Sequence, residues 1–452
     1  MNRIAGRSFI VWILVFAFVA GIAFFIADYA INARKWAMYA GSQHVYNGTK
    51  LRSGVITDRN QLLILDFSDG WQYSSDRNIR SSMLHWIGDR AGNIRAPILD
   101  EYAEELVGYS GVGGLYSYGD TVGQMVLTLD AKVQKAALEA LNGRSGTVSL
   151  YNYKTGELIC AVTSPNFDPD EPPSIDPEDP GDYDGIYVNR FTQSANYTPG
   201  SIFKIVTLAA ALESIDDIEE RSFLCEGEYL TGDGDITCEY VHGEQTLQQA
   251  FTNSCNCAFA QIAIELGAEK LQRYIEQFGV LDSVTFDGIT TARGSVQLQN
   301  VTKEDLAWTA IGQHRDQINP CGFLMFLGAV AADGIAAKPY VVSEVLVGEK
   351  TTYEAKTQFS DRILSTTSAK LVQQYMNGNV ELKYGKENFP GFSVCAKSGT
   401  AEVGGGKKPH AMFAGFLQDE KHPYAFLITV ENGGYGASTC IPILQAVLNE
   451  LE

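Results

Sequence analysis

The sequence predicts an α+β fold: one antiparallel sheet, built from both ends of the chain, carries a helical layer and follows an N-terminal apolar span and a small pedestal domain. Three observations predict it. Strand-like alternation occupies the segments before Ser164 and after Tyr340, the stretch from Ser201 to about Ala329 is mainly helical in period, and Phe9 to Ala27 holds neither charge nor proline. The 452 residues are 45% apolar and 19% charged, ordinary for a globular chain with a sizeable core. Lys and Arg number 34 against 54 Asp and Glu, so the formal charge is −20, and no basic patch opposes it. Nucleic acid is therefore not an expected partner.

Residues 9–27 read as a single transmembrane anchor, with 1–8 as a cytoplasmic tail. As a helix at about 1.5 Å per residue this run spans about 28 Å, close to the thickness of a bilayer core. A cleaved signal peptide competes with that reading, but its apolar core is shorter, and Ala27-Asp28-Tyr29-Ala30 is a poor cleavage site. Arg3 and Arg7 favour a cytoplasmic N-terminus, although Arg34 and Lys35 on the other side weaken the asymmetry. The rest of the chain is expected outside the cytoplasm, held to the cell membrane by this one pass.

Residues 28–125 read as a juxtamembrane linker and pedestal. A helix-like stretch runs from Tyr29 to Tyr39, a strand pair flanks the turn Asp58-Arg59-Asn60-Gln61, and one helix is expected from Pro97 to Leu106. Residues 126–452 read as the main domain. Asp130 is placed to cap a helix from Ala131 to Leu141, and Gly146 to Tyr153 and Leu158 to Val162 form a hairpin around Lys154-Thr155-Gly156-Glu157. Residues 165–184 are rich in Pro and acidic side chains without Lys or Arg, which reads as a solvated surface loop in preference to a binding element. Helices are expected over Lys204 to Ser214, Thr246 to Leu266, Glu269 to Phe278, Lys303 to Ile311 and Gly322 to Ala332. Strands are expected over Tyr340 to Leu346, Val394 to Ala396, Ala411 to Leu417 and Ala425 to Val430, with helical period resuming after Pro442.

The eight cysteines leave one question open. Cys225 and Cys238 flank a Gly- and Asp-rich hairpin tip, Glu226 to Thr237, and could form a disulfide in an oxidising compartment, but spacing does not report their separation. There is no CxxC and the six His do not cluster in sequence, so no metal and no cofactor is expected.

Thr198-Pro199-Gly200-Ser201-Ile202-Phe203-Lys204 carries the strongest chemical signal. Pro and Gly end an extended segment, so Ser201 falls in the first helical turn and Lys204, three residues on, shares its face. A Ser hydroxyl is a weak nucleophile at neutral pH without an adjacent base, and a desolvated lysine can be that base. Alone, the pattern reads as an N-capping serine. Ser254-Cys255-Asn256 precedes an apolar helix and can point a hydroxyl and an amide into one cleft, though alone it reads as a turn. Lys397-Ser398-Gly399-Thr400, at the end of a strand, offers a cation, hydroxyls and an unobstructed edge for a substrate carboxylate. The three in this order and context are far more specific than any one.

With these motifs the chain resembles the penicillin-binding transpeptidases, and within them the class B, monofunctional type, through most of residues 50 to 440. Arg52-x-Gly54-x-Ile56-x-Asp58-Arg59-Asn60, Leu127-Thr128-Leu129-Asp130 with Gln134, Thr155-Gly156-Glu157, Asn189-Arg190 and Gly312-Gln313 before Pro320 add to the resemblance. It implies a serine β-lactamase/transpeptidase-like domain in which Ser201 is the acylated nucleophile and Lys204 its base. Ser254 and Lys397 would pass a proton to the leaving amine, and Asn256 would position Lys204 and the substrate amide. The N–H groups of Ser201 and Thr400 would form the oxyanion hole, and Ser398, Gly399 and Thr400 would receive the carboxylate end.

The implied reaction is peptidoglycan D,D-transpeptidation: stem peptides are cross-linked through an acyl-serine intermediate, and β-lactams acylate the same serine. Residues 28–125 are too few for a glycosyltransferase domain, so the implied partner is a multispanning membrane glycan polymerase. A D,D-carboxypeptidase or β-lactamase-like hydrolase of the same fold is an alternative, and a non-catalytic envelope scaffold another. Asn256 argues against class D β-lactamases and sensors, which usually carry Ser-x-Val. Two residues depart from the family pattern: Ser398 stands where Thr is commoner, and His314 where Gly is usual.

Overall fold

The computed structural model describes residues 2–37, 46–47, 50–51, 54–67, 70–107, 123–176, 178 and 181–451. Arg52 of the opening motif, the end of the Tyr29 to Tyr39 stretch and the Gly-rich segment 108–122 lie outside them. One helix, Asn2–Ala37, runs through the expected anchor and the juxtamembrane stretch without a break. Its Gly6–Ala33 portion, 28 residues that include an 18-residue stretch of mean hydropathy 2.9 with no buried residue, is long and apolar enough to cross a membrane.

The pedestal is held by a sheet that borrows strands from elsewhere in the chain. Val55–Thr57 and Leu63–Asp66 pair antiparallel with Ile56 opposite Leu65, and the Asp58 carboxylate closes the turn by accepting from the Asn60 and Leu62 N–H groups, both at 2.8 Å. Gly123–Leu127 then pairs parallel with Val55–Thr57 and antiparallel with Val342–Val347. The expected boundary at 125/126 thus falls inside a strand of a six-stranded sheet. A helix not anticipated, Arg77–Ile87, starts where Asp76 accepts from the Asn78 and Ile79 N–H groups. Its arginines and serines dilute the apolar pattern, yet it buries Ile79, Met83, Leu84, Trp86 and Ile87. The helix expected from Pro97 to Leu106 is two, Pro97–Glu101 and Ala103–Val107, divided at Tyr102, whose hydroxyl donates to Asp287 at 2.7 Å.

The main sheet matches the expectation that both ends of the chain build it. Its five antiparallel strands run in the order Val394–Ala401, His410–Leu417, Tyr424–Val430, Gly146–Asn152, Leu158–Ser164. Alternate residues feed two cores: Phe413, Phe426 and Ile428 face the helices Ala131–Leu141 and Gly436–Leu448, while Met412, Ala414 and Leu427 face the larger helical layer. Burial on both faces explains why these strands read as continuous apolar runs.

Four expectations are corrected. Thr246 to Leu266 is two helices, Leu247–Thr252 and Asn256–Leu266, because Ser254 takes a left-handed φ of 58°. The last helix begins at Gly436, six residues before Pro442, which sits inside it. Thr366–Asn379 is a further helix that the mixed polar pattern hid. The acidic loop is not solvated throughout: Asp168 is buried and accepts from Arg80 Nε and Nη2, each at 2.6 Å, while Phe167 and Ile186 pack with Leu84 and Ile94.

Candidate active site

Ser201 lies in the 3₁₀ turn Gly200–Phe203, which runs into the helix Lys204–Ser214. Close backbone approach makes glycine necessary on both sides of this turn. Gly200 has φ 53° and a Cβ there would meet the Thr400 carbonyl oxygen at 2.7 Å, while a Cβ on Gly312 would collide with the Gly200 carbonyl. The Gly200 N–H donates to the Gly312 carbonyl at 2.7 Å, tying the loop around Gln313 and His314 to the serine turn. His314 occupies φ 68°, a conformation that glycine would adopt without strain.

The three motifs converge. Lys204 Nζ lies 3.1 Å from Ser201 Oγ, 2.7 Å from the Ser254 carbonyl oxygen, 3.2 Å from Ser254 Oγ and 2.7 Å from Asn256 Oδ1. Lys397 Nζ donates to Ser254 Oγ and to the Ser398 carbonyl, each at 2.9 Å. Ser254 Oγ therefore bridges the two lysines, and the left-handed φ of Ser254 turns both its hydroxyl and its carbonyl toward Lys204.

Both lysines are fully buried. Burial is the main cause that lowers Lys204 to about 7, and the positive charge of Lys383 adds to it while nearby cysteines oppose it. Lys397 is driven well below the usual lysine range by burial and then by Lys204 and Lys383. The hydrogen bonds are compatible with the neutral form. The Ser254 carbonyl and Asn256 Oδ1 can only accept, so they consume two N–H bonds of Lys204. A neutral amine then has one lone pair left for a serine hydroxyl.

Val394–Ala401 is an edge strand of the main sheet, with the Ser201 turn packed beside it. A Cβ on Gly399 would stand 3.0 Å from the Pro199 carbonyl and from Ile202 Cγ2, so glycine permits that contact. An extended peptide laid along such an edge pairs with main chain while its side groups face the cleft.

Residues missed from sequence support this edge. Tyr384, in the π-helical turn Val380–Tyr384, accepts from the Ser398 N–H at 2.8 Å and donates to Ser398 Oγ at 2.9 Å. Asn379 donates to the Ala396 carbonyl at 3.0 Å and accepts from Thr252 Oγ1 at 2.9 Å, joining the Lys397 strand to the segment before Ser254. Lys383 Nζ donates to the Thr252 carbonyl at 3.2 Å. No local pattern marked these residues, because their partners are remote in sequence.

Residues 146–449 match the penicillin-binding protein transpeptidase domain. The chain belongs to this family. The matched span includes the three polar motifs around Ser201, Ser254 and Lys397. Over 349 residues the chain is 28% identical to stage V sporulation protein D of Bacillus subtilis, covering 72% of this chain and 53% of that protein. It is 27% identical over 357 residues to the peptidoglycan D,D-transpeptidase PbpA of Mycobacterium tuberculosis, covering 72% of each. Among solved structures, the D,D-transpeptidase domain of a peptidoglycan glycosyltransferase from Eggerthella lenta superposes with a TM-score of 0.73 at 25% identity, over 88% of this chain and 99% of that one. Penicillin-binding protein A of M. tuberculosis gives 0.74 at 23%, over 88% and 98%.

All eight cysteines are free, so the Cys225–Cys238 disulfide left open by the sequence is not formed in this structure. These two lie instead with His242 and Cys255 in one cluster, which spacing alone did not reveal.

Proposed function

We propose that this protein is a membrane-anchored peptidoglycan D,D-transpeptidase that works through acyl-Ser201. The observation that carries the reading is Lys204 Nζ within hydrogen-bond reach of Ser201, Ser254 and Asn256 together, in a site dry enough to favour the neutral amine. Membership of the transpeptidase family and the activity in the names of its relatives support it.

In the first half-reaction Ser201 Oγ gives its proton to Lys204 and bonds to the carbonyl carbon of the penultimate D-Ala of a stem peptide. The Ser201 and Thr400 N–H groups receive the oxyanion. As the C–N bond breaks, Ser254 Oγ passes its proton to the departing D-Ala amine and is reprotonated by Lys204, which holds the proton taken from Ser201, while the Lys397 amine assists by its hydrogen bond to the same oxygen. Asn256 holds Lys204 and the substrate amide, and Ser398, Gly399 and Thr400 seat the substrate's carboxylate end. In the second half-reaction an amine of a neighbouring stem attacks the ester, completes the cross-link and frees Ser201. A β-lactam enters as a strained acyl donor and stays attached. The helix Asn2–Ala37 anchors the chain with its N-terminus in the cytoplasm, and a multispanning membrane polymerase supplies the glycan.

Intact-mass measurement of the purified full chain after penicillin treatment tests the class. One long-lived adduct, absent from Ser201→Ala, together with release of D-Ala and formation of dimeric stem peptide, is the expected result. Rapid loss of the adduct would favour a β-lactamase-like hydrolase, D-Ala release without dimers a carboxypeptidase, and no adduct on folded protein a scaffold.

A pH profile gives a second test. Because Lys204 is lowered to about 7, the base fraction grows as pH rises through that value. The acylation rate should climb across pH 6 to 8 and level off above, roughly one proton per site. A flat profile would remove Lys204 as the base.

A further inference from the structure

We propose that Cys225, Cys238, His242 and Cys255 form a tetrahedral site for a zinc-type divalent cation that fixes the Ser254-Cys255-Asn256 turn. The four ligand atoms, three Sγ and one imidazole nitrogen, all lie within 4.8 Å of one another. His242 Nδ1 is 3.4 Å from Cys225 Sγ and 3.6 Å from Cys238 Sγ, and Cys238 Sγ is 3.9 Å from Cys255 Sγ. A tetrahedral zinc with Zn–S of about 2.3 Å and Zn–N of about 2.05 Å places its ligands about 3.8 Å apart for sulfur pairs and about 3.5 Å for sulfur and nitrogen. These separations therefore match the edges of one coordination tetrahedron, and they exceed the S–S bond of about 2.05 Å.

The backbone supplies the frame. Cys225 ends the strand Ser222–Cys225, paired at this end with Gly243, the residue after His242. Cys238 follows the hairpin strand Asp235–Thr237. Cys255 is the N-cap of the helix Asn256–Leu266, where its sulfur accepts from the Ala258 N–H at 3.4 Å. Cys225 and Cys255 are buried and the other two half-buried, so the cluster is shielded yet reachable. Three sulfurs and one imidazole, with no carboxylate among them, select zinc over magnesium or calcium. Binding displaces the thiol protons and leaves a closed site with no open position for substrate, hence a structural role.

Cys255 stands between the two active-site residues of its motif. A metal on its sulfur holds Ser254 in its left-handed conformation and Asn256 at the helix start, where Asn256 Nδ2 also donates to the Thr237 carbonyl, the residue before Cys238, at 2.9 Å. Ser254 and Asn256, on either side of the ligand Cys255, are positioned by the site and not part of it. The metal site stands on its own ligands, and only its effect on acylation rests on the transpeptidase reading.

Elemental analysis of the full chain, produced with zinc present and purified without chelator, tests this. One zinc per chain is expected, with cobalt exchange giving the intense visible bands of a tetrahedral thiolate site. Alkylation of the native protein, read by mass spectrometry, should spare Cys225, Cys238 and Cys255 until a chelator is added. Cys225→Ser and His242→Ala should lose the metal and slow penicillin acylation by about tenfold or more, since displaced catalytic groups lose rate steeply. Zinc below one tenth of the chains, cobalt bands lacking sulfur character, or a disulfide joining any two of the three cysteines would overturn the proposal. These readouts use wild-type protein and do not depend on the variants folding. Full zinc without any penicillin adduct would keep the metal site and sink the enzyme reading instead.

Discussion

Lys204→Ala is expected to slow acylation of Ser201 by labelled penicillin by about 10²–10⁴-fold, the usual worth of a positioned general base. Ser201 and the edge strand Val394–Ala401 stay in place, so binding should change far less than the chemical step. The variant loses the proton acceptor 3.1 Å from Ser201 Oγ and the only cation touching Asn256 Oδ1 among the described residues. Lys397, held well below the usual lysine range by burial, stays as a second amine in the cleft, its Nζ reaching Ser254 Oγ. Some residual rate should therefore persist. Lys204→Arg should not restore the rate, because guanidinium keeps its proton. Rapid-mixing kinetics with a fluorescent penicillin, alongside thermal melting to show that the variant is folded, would measure this. A loss of less than about fivefold would show that another group takes the proton.

Arg80→Ala is expected to destabilise the protein by about 3–5 kcal/mol, the scale for stranding a buried charge. Arg80 grips Asp168 through two nitrogens at 2.6 Å, and the Asp168 side chain is only 1% exposed, so alanine leaves a carboxylate with little solvent. Arg77, itself mostly exposed at 69%, reaches the same carboxylate at 3.3 Å and should recover a fraction. Burial pushes the Asp168 carboxyl up, but hydrogen bonds from Arg80 and the Asp170 N–H, with the charges of Arg80 and Arg77, outweigh it and lower it overall. A carboxyl lowered on folding contributes stability above its unfolded range, and that contribution is lost as pH falls through the folded value. Urea unfolding of wild type and variant should therefore differ most near neutral pH and converge in acid. Replacing both Arg80 and Asp168 by apolar residues should recover much of the loss, whereas an equal loss in the double variant would mean that packing, not the ion pair, is at stake.

The same pair shows where sequence reading stopped. Nothing local to the Pro-rich acidic loop revealed that its first part is clamped to a pedestal helix, because the clamp joins Arg80 to Asp168 across 88 positions. The break at Ser254 was similarly hidden. Apolar spacing ran through Thr246 to Leu266, and the left-handed residue that divides it is a serine and not the glycine that usually announces one. Tyr384 and Asn379 carried no pattern at all, yet they set Ser398 and Ala396 on the edge strand. By contrast, Ser201 and Lys204 were legible together, since helical period alone puts residues three apart on one face.

What the residues alone determined is therefore local or periodic: the apolar span near the N-terminus, the two-ended sheet, the Ser-x-x-Lys turn, and the order of the three polar motifs. Helix and strand geometry repeat over a few residues, so short-range pattern is enough to write them. Only the folded chain decided that Ser254 Oγ bridges two lysines, that burial lowers one of them to near neutrality, and that three dispersed thiols and an imidazole meet beside the same turn. Those features depend on desolvation and on angstrom-scale distances between remote segments, which packing sets and one-dimensional order does not contain.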